Sequence, residues 1–243
     1  MTLPPHTVSV PARGWRIDRR KALAVAVLCW AGFAAVVWLV QSGRAHAFDH
    51  IGLMFWRRAP ALTPRGPAWL LEGVRDVTAL GGVLLRNLIA LGAVAALLFL
   101  RLRREAVLLA LTIAVGWAVD WAIKVAVGRP RPTIVPHLTE AGGSSFPSGH
   151  SFNSAVVYLA IALAFATLSA RETVRLTVIA TALAISLVVA WSRVWLGVHF
   201  PTDVAAGWLG GVGWAFLAAG LLQRPAAAMA DSAAAEKLDP TIH

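Results

Sequence analysis

Long apolar stretches alternate with short polar segments along most of this chain, and these stretches have the length of membrane helices. About 20 consecutive apolar residues are needed to cross ~30 Å of hydrocarbon as a helix. The chain is therefore predicted to be an all-α integral membrane protein with six transmembrane helices. The predicted spans are residues 22–41, 77–100, 106–127, 147–170, 176–193 and 202–222.

The polar segments outside these spans are short, which leaves one domain over residues 22–222. Residues 1–21 are predicted to be a cytoplasmic tail and residues 223–243 a disordered cytoplasmic tail. Residues 42–76 mix tryptophans, arginines and prolines, which favours short amphipathic helices at the extracytoplasmic interface, although a plain connector fits as well. A cleaved signal ending at Ala47 is disfavoured because the first span exceeds the roughly 7–15 apolar residues of a signal.

The composition fits a membrane protein without a large soluble domain. Hydrophobic residues make up 58% of the chain and charged residues only 14%, against roughly 25% charged in soluble domains. The net charge of +10 does not indicate nucleic acid, because many basic residues lie at the ends of apolar segments. The single Cys29 excludes a disulfide framework and a cysteine metal site.

Lysines and arginines are distributed unequally between the two sides of the predicted bundle. Twelve lie on the side that includes both termini, and five lie on the other side when the candidate site residues are set aside. The positive-inside rule places the termini in the cytoplasm. The extracytoplasmic ends of helices 3 to 6 then carry three clusters of ionisable residues, which indicates a functional site because such residues are costly in a membrane.

The last cluster contains a histidine and a carboxylate. His199 and Asp203 are four residues apart across Pro201, which suits the first turn of a helix. Asp203 can accept a hydrogen bond from one ring nitrogen of His199 and leave the other nitrogen as a nucleophile or base. Considered alone, the pair fits an interfacial histidine beside a capping aspartate equally well.

The middle cluster is the sequence Pro147-Ser148-Gly149-His150 at the predicted start of a helix. Free N–H groups and the positive dipole end would let Ser148 and Gly149 bind phosphate oxygens. His150 would face the same space and could protonate a leaving oxygen. An ordinary helix cap explains this motif more simply when it is considered alone.

Lys124, Arg131 and Arg193, with Arg129 as a possible accessory, supply fixed positive charge. Arginine matches paired phosphate oxygens, and such cations stabilise a transferring phosphoryl group. Snorkelling to lipid headgroups explains one arginine but not four cations beside two histidines. Asp203 is the only carboxylate in the clusters, so no metal and no cofactor are expected.

Two further ionisable residues and a group of glycines lie within the spans. Asp120 is one helical turn before Lys124 and is predicted to pair with Lys124 or with Arg86. Both Asp120 and Arg86 are interpreted as structural. The glycines of the last span predict close helix packing, and they are Gly207, Gly210, Gly211 and Gly213.

Together the three clusters resemble the motifs of the type 2 phosphatidic acid phosphatase family, the membrane branch of the superfamily that includes vanadium haloperoxidases. The first motif, a lysine, six residues and Arg-Pro, matches Lys124 through Arg131-Pro132. The second, Pro-Ser-Gly-His, matches residues 147–150. The third, Ser-Arg, five residues, His, three residues and Asp, matches residues 192–203. All three occur in order over about a third of the chain, and Arg129 lies outside the strict pattern.

The resemblance implies a metal-independent lipid phosphatase. By analogy, His199 attacks phosphorus and forms a phosphohistidine, Asp203 orients it, and His150 protonates the leaving group and then activates water. The groups that would hold the phosphoryl oxygens are Lys124, Arg131, Ser148, Gly149 and Arg193. Bacterial members act on isoprenyl diphosphates such as undecaprenyl diphosphate, on phosphatidylglycerol phosphate, on phosphatidate or on lipid A phosphates, and the motifs do not separate these.

Other functions stay open at this point. The same site could transfer the phosphoryl group to a second lipid. A haloperoxidase is less favoured because those proteins are large and soluble. A non-enzymatic transporter or lipid-binding membrane protein is also less favoured, because transporters place charges near the bilayer midplane. The expected partners are a lipid phosphate and the plasma membrane, with the site on the extracytoplasmic side and the oligomeric state undetermined. Residues 42–76 are hypothesised to admit lipid sideways.

Overall fold

The computed structural model describes residues 17–169 and 171–222. In these ranges the chain forms eight α-helices and one short antiparallel hairpin of β1, Arg57–Arg58, and β2, Thr63–Pro64. Most of the two predicted tails, 1–21 and 223–243, lies outside the described residues. The helices are α1 (Arg19–Gln41), α2 (His46–Met54), α3 (Ala68–Ala79), α4 (Val83–Phe99), α5 (Arg103–Val127), α6 (Gly149–Ala166), α7 (Glu172–Trp195) and α8 (Pro201–Leu222).

Five of the described helices, α1 and α5 to α8, are long and apolar enough to cross a membrane. The helices α3 and α4 together make a sixth candidate, bent by 46° at the break between them. The prediction of an all-α membrane protein is confirmed, and the predicted number of six spans is reached when the bent pair α3 and α4 counts as one span. The second span differs in detail, because the helix predicted over 77–100 begins only at Val83 and follows the bend.

The break between α3 and α4 fits closely against the centre of the bundle. A Cβ atom at Gly81 would collide with Val189 of α7 and would lie 3.1 Å from the His150 ring. Only glycine lets the backbone approach this closely. The break between α3 and α4 therefore lies against the first turn of α6.

Helix α6 lies at the centre of the bundle, where it packs against α5, α7 and α8. Thirteen of its 18 residues are buried, so it is surrounded by protein and not by lipid. The predicted close packing of the α8 glycines is confirmed. A Cβ at Gly207 would lie 2.6 Å from the Ser148 carbonyl oxygen, and one at Gly211 would collide with the Phe152 carbonyl.

Residues 42–76 form the short helices α2 and α3 with the hairpin between them, as the amphipathic interpretation predicts. Helix α2 buries Asp49 and Leu53 and exposes Phe48 and Ile51. The hairpin is fixed by Arg57, which is buried and donates hydrogen bonds to the carbonyls of Trp195 (2.9 Å) and Pro136 (3.5 Å). The segment is thereby attached to the end of α7. Its position at a membrane interface stays a prediction.

Candidate active site

The ends of four helices bring the three sequence motifs to one place. Lys124, in the last turn of α5, donates a hydrogen bond to the carbonyl of Pro147, just before α6. The Ser148 amide donates to the Asp203 carbonyl at 3.0 Å, which joins the start of α6 to the start of α8. Arg131, in the loop after α5, lies 3.0 Å from the Nε2 atom of His199.

His199 lies in the loop between α7 and α8 and is almost fully buried. Its Nδ1 atom is 3.7 Å from Asp203 Oδ2, too far for the direct hydrogen bond that the four-residue spacing suggests. The Ser145 hydroxyl lies between them. It donates to Asp203 Oδ2 at 2.5 Å and is 3.3 Å from His199 Nδ1. The carboxylate therefore reaches the imidazole mainly through a serine.

The protonation of His199 follows from its neighbours. Arginine only donates hydrogen bonds, so Arg131 makes Nε2 an acceptor and leaves the ring proton on Nδ1. Burial lowers the pKa of His199 to about 4, the Asp203 carboxylate partly opposes this shift, and the Arg131 charge adds to it. The imidazole is consequently neutral at pH 7, with an unprotonated nitrogen beside a cation.

Arg131 is held at its position by the backbone. Its guanidinium donates to the carbonyls of Val198 (2.8 Å), Gly142 (2.7 Å) and Gly143 (3.1 Å). Burial lowers its pKa, but an arginine remains charged at neutral pH. The structure thus presents a fixed, half-buried positive charge beside Nε2 of His199.

His150 and Ser148 occupy the first turn of α6. Ser148 is the N-cap residue, and its hydroxyl accepts from Ser151 Oγ at 3.0 Å. The His150 ring interacts electrostatically with His199, Arg131 and Arg193, which places it in the same cluster. The Ser148 N–H donates to the Asp203 carbonyl, so this amide joins the start of α6 to the start of α8.

Gly149 and Arg193 complete the predicted set. A Cβ at Gly149 would lie 3.3 Å from Asp120 Oδ2 and 3.8 Å from Lys124 Cε, so a side chain here would crowd both. Arg193 is 3% exposed and donates to Thr78 Oγ1 of α3 at 2.8 Å. Its Nε atom is buried and has no hydrogen-bond partner among the described residues. An anion with free oxygen acceptors would satisfy such a donor.

Arg129 has a different environment from the other cations. Its guanidinium forms ion pairs with Asp203 at 2.6 Å and with Asp49 of α2 at 2.7 Å, and it lies over the Phe200 ring. Asp49 also accepts from the amide and hydroxyl of Thr202, at 3.0 and 2.8 Å. The Arg129 charge is thus directed at two carboxylates.

Two site residues, Asp49 and Ser145, were not predicted from the sequence. Asp49 lies in the segment interpreted as interfacial amphipathic helices or a plain connector, although a lone carboxylate among Phe48, Ile51 and Leu53 was a usable signal. Ser145 lies in a loop of small residues, Gly142 to Ser145, that has no periodicity or motif. Nothing in the pattern separates this serine from its neighbour Ser144.

Asp120 does not form the predicted ion pair. No lysine or arginine nitrogen of the described chain lies within 4.0 Å of it, and its Oδ2 instead accepts from Asn153 at 3.0 Å. Asn153 also donates to the Gly149 carbonyl at 3.0 Å. Arg86 donates to the Gly81 carbonyl at 3.0 Å and interacts with Asp120 only at longer range. Both residues contribute to the packing around the start of α6, as a structural role implies.

Known proteins resemble this chain in sequence and in fold. The PAP2 superfamily profile matches residues 105–226. The chain is 35% identical over 155 residues to phosphatidylglycerophosphatase B of Bacillus subtilis strain 168, covering 63% of this chain and 75% of that protein. It also resembles the crystal structure described as the first transmembrane PAP2 type phosphatidylglycerolphosphate phosphatase from Bacillus subtilis. That match has a TM-score of 0.66 and 27% identity, and it covers 82% of this chain and 94% of the other.

These similarities identify a multi-pass membrane phosphatase of the kind that acts on lipid phosphates. More particularly, the chain belongs to the PAP2 superfamily, whose profile covers all three motifs. The family predicted from the motifs is thereby confirmed.

Proposed function

We propose that this protein removes a phosphate from a membrane lipid through a phosphohistidine on His199, without a metal ion or other cofactor. The observation that carries this proposal is the position of His199 Nε2. This nitrogen is unprotonated and lies 3.0 Å from the Arg131 guanidinium, while Nδ1 faces the Ser145 and Asp203 side. A nucleophile beside a fixed cation is arranged to attack an anionic phosphorus centre.

In the first step, the Nε2 lone pair forms a bond to phosphorus, and the bond between phosphorus and the lipid oxygen breaks. The electron pair goes to the lipid oxygen, which takes a proton from His150, whose imidazolium form is stabilised by the bound phosphate anion. In the second step, water loses a proton to His150 and attacks phosphorus, and the N–P electron pair returns to Nε2. The sum is lipid phosphate plus water giving lipid alcohol plus phosphate, with both histidines restored.

The cations supply the charge that a metal would otherwise provide. Arg131 and Arg193 act electrostatically on both histidines, and Lys124 acts on Arg131 and Asp203, so the three cations lie around one site. Fixed cations in a partly dry site stabilise the phosphoryl oxygens without reorganisation during the reaction. A divalent cation at the same place would be repelled by these fixed positive charges.

Phosphatidylglycerol phosphate is the first substrate to test, since both relatives are named for its hydrolysis. Undecaprenyl diphosphate and phosphatidate are the other candidates. An apolar groove of about 320 Å³ lies between α7 and α8. It begins at Pro201 and Val204, beside the loop that carries His199, and continues along Leu187 and Trp208, which supports a lipid substrate. We further propose that the site faces the extracytoplasmic side of the plasma membrane, as the charge asymmetry of the loops implies.

The test is phosphate release by the purified protein in detergent with EDTA present, from the three lipids in parallel. Release should survive EDTA and disappear in His199→Ala. With ³²P-labelled substrate, acid-labile and alkali-stable label should appear on the wild-type chain after rapid quenching, as expected for phosphohistidine. Activity that persists in His199→Ala would show that the nucleophile is another residue. Label that moves to a second lipid instead of to water would identify a phosphotransferase.

A further inference from the structure

Ser145 belongs to none of the three motifs, yet its side chain lies between two of their residues. It lies two residues before Pro147, is fully buried, and is fixed by its amide, which donates to the Arg129 carbonyl at 2.7 Å. Its hydroxyl is 2.5 Å from Asp203 Oδ2 and 3.3 Å from His199 Nδ1. The loop therefore places one hydroxyl between the carboxylate and the imidazole.

The hydrogen-bond directions through Ser145 are determined by its neighbours. Asp203 can only accept, so the serine proton points to the carboxylate. The serine oxygen is then free to accept the Nδ1 proton of His199, the tautomer that Arg131 selects at Nε2. Asp203 and His199 themselves remain 3.7 Å apart. Each hydrogen-bond donor between the imidazole and the carboxylate thus has an acceptor.

The other Asp203 contacts explain why the carboxylate does not reach the ring directly. Oδ2 also accepts from the Phe200 amide at 3.0 Å, and Oδ1 is held by Arg129 at 2.6 Å. These bonds fix the carboxylate in the first turn of α8. A serine between the two groups spans the remaining distance.

We propose that Ser145 is a positioning residue that connects Asp203 to His199 and holds the imidazole with Nε2 towards the phosphate. This inference rests on the proposed role of His199 as nucleophile. When Nε2 binds phosphorus the ring becomes positive, and the path through the Ser145 hydroxyl lets the Asp203 charge stabilise it. Ser145 itself forms no bond to the substrate.

The experiment compares Ser145→Ala with Ser154→Ala, a second fully buried serine whose hydroxyl donates within its own helix at 3.3 Å. Phosphate release from phosphatidylglycerol phosphate is measured over a range of substrate concentrations. We expect Ser145→Ala to lower kcat about 10- to 100-fold, the size of one hydrogen bond to a charged group. Its KM should stay within about twofold, because the substrate does not contact Ser145. Ser154→Ala should keep both constants, and melting temperatures should show that both variants fold.

A double-mutant cycle with Asp203→Asn tests the connection itself. If Ser145 acts through Asp203, then Ser145→Ala should cost at most about twofold once Asp203 has become asparagine. An equal loss in both backgrounds would overturn the proposal, and so would a kcat of Ser145→Ala within about twofold of wild type. Activity in His199→Ala would instead refute the proposed nucleophile. An inactive His199→Ala with a fully active Ser145→Ala would refute only the role of Ser145.

Discussion

Asp203 and Asp49 are held 2.6 and 2.7 Å from the same guanidinium, that of Arg129. The two carboxylates are buried, at 1% exposure or less, and the Arg129 side chain is 11% exposed. The bridge joins α2, in the segment before the hairpin, to the first turn of α8. It therefore ties the carboxylate behind His199 to a part of the chain more than 150 residues earlier.

Replacing Asp49 should lower both the stability of the protein and its kcat. In Asp49→Asn the Arg129 charge loses one of its two buried partners, which costs about 3 kcal/mol of folding free energy for a buried pair. We expect a lower melting temperature and, because Asp203 loses its fixed neighbour, a kcat reduced about tenfold. The measurements are thermal unfolding and phosphate release in detergent.

Glu72→Gln is the matched control for Asp49→Asn. Glu72 pairs with Arg75 at 3.1 Å, but both side chains are largely exposed, so its loss should change neither stability nor activity measurably. An Asp49→Asn protein as stable and active as Glu72→Gln would mean that the Arg129 bridge has no role in the site.

The depressed pKa of His199 predicts a pH dependence of stability. Its folded-state pKa is about 4, whereas the ordinary value is 6.5, so the unfolded chain takes up the proton first as the pH falls. The neutral form of His199 contributes fully to the free energy of unfolding above pH 6.5, and this contribution declines as the pH falls from 6.5 to 4. Over this window it amounts to about 3 kcal/mol.

The comparison of wild type with His199→Gln isolates this contribution, because glutamine does not titrate. Unfolding should be measured at pH 7, 5.5 and 4.5. The wild type should lose stability faster than the variant as the pH falls. Parallel curves for the two proteins would show that His199 is not buried as a neutral imidazole.

The spans and the meeting of the three motifs could be predicted from the sequence more completely than the contacts between the side chains. Spans follow from apolar length, and the three motifs come together because alternate helix ends share one side of the bundle. Contacts such as Arg129 with Asp49 join residues 80 positions apart, and no periodicity encodes them. The 3.7 Å between His199 and Asp203 depends on where the loop at Ser145 lies, which local spacing does not determine.

Gly207 should not tolerate a side chain, because α8 packs closely against the start of α6 at this position. A Cβ there would lie 2.6 Å from the Ser148 carbonyl, on the residue that caps the helix carrying His150. Gly207→Ala should therefore move the start of α6, cost about 1–3 kcal/mol through overpacking and lower activity at least tenfold. Gly92→Ala is the control, since nothing lies within 4 Å of its Cβ position. Equal melting temperatures and activities for the two variants would refute the close approach.

The tryptophans of residues 42–76 allow a test of lipid access. Trp56 packs edge to face on Trp191 at 5.5 Å, and Trp191 lines the apolar groove between α7 and α8. Trp69 is 71% exposed and extends the apolar surface of α3. If this segment guides lipid into the site, Trp56→Ala and Trp69→Ala should each raise KM for a long-chain lipid phosphate.

A short, soluble phosphate ester separates this effect from damage to the chemistry. It reaches His199 without using the groove or the exposed tryptophan, so its kcat/KM should stay within about twofold of wild type in both variants. Exposed Leu84 of α4 provides a control, because Leu84→Ala removes apolar surface that does not line the groove. A tryptophan variant that loses activity equally on both substrates would show that residues 42–76 support the fold of the site and do not select the lipid.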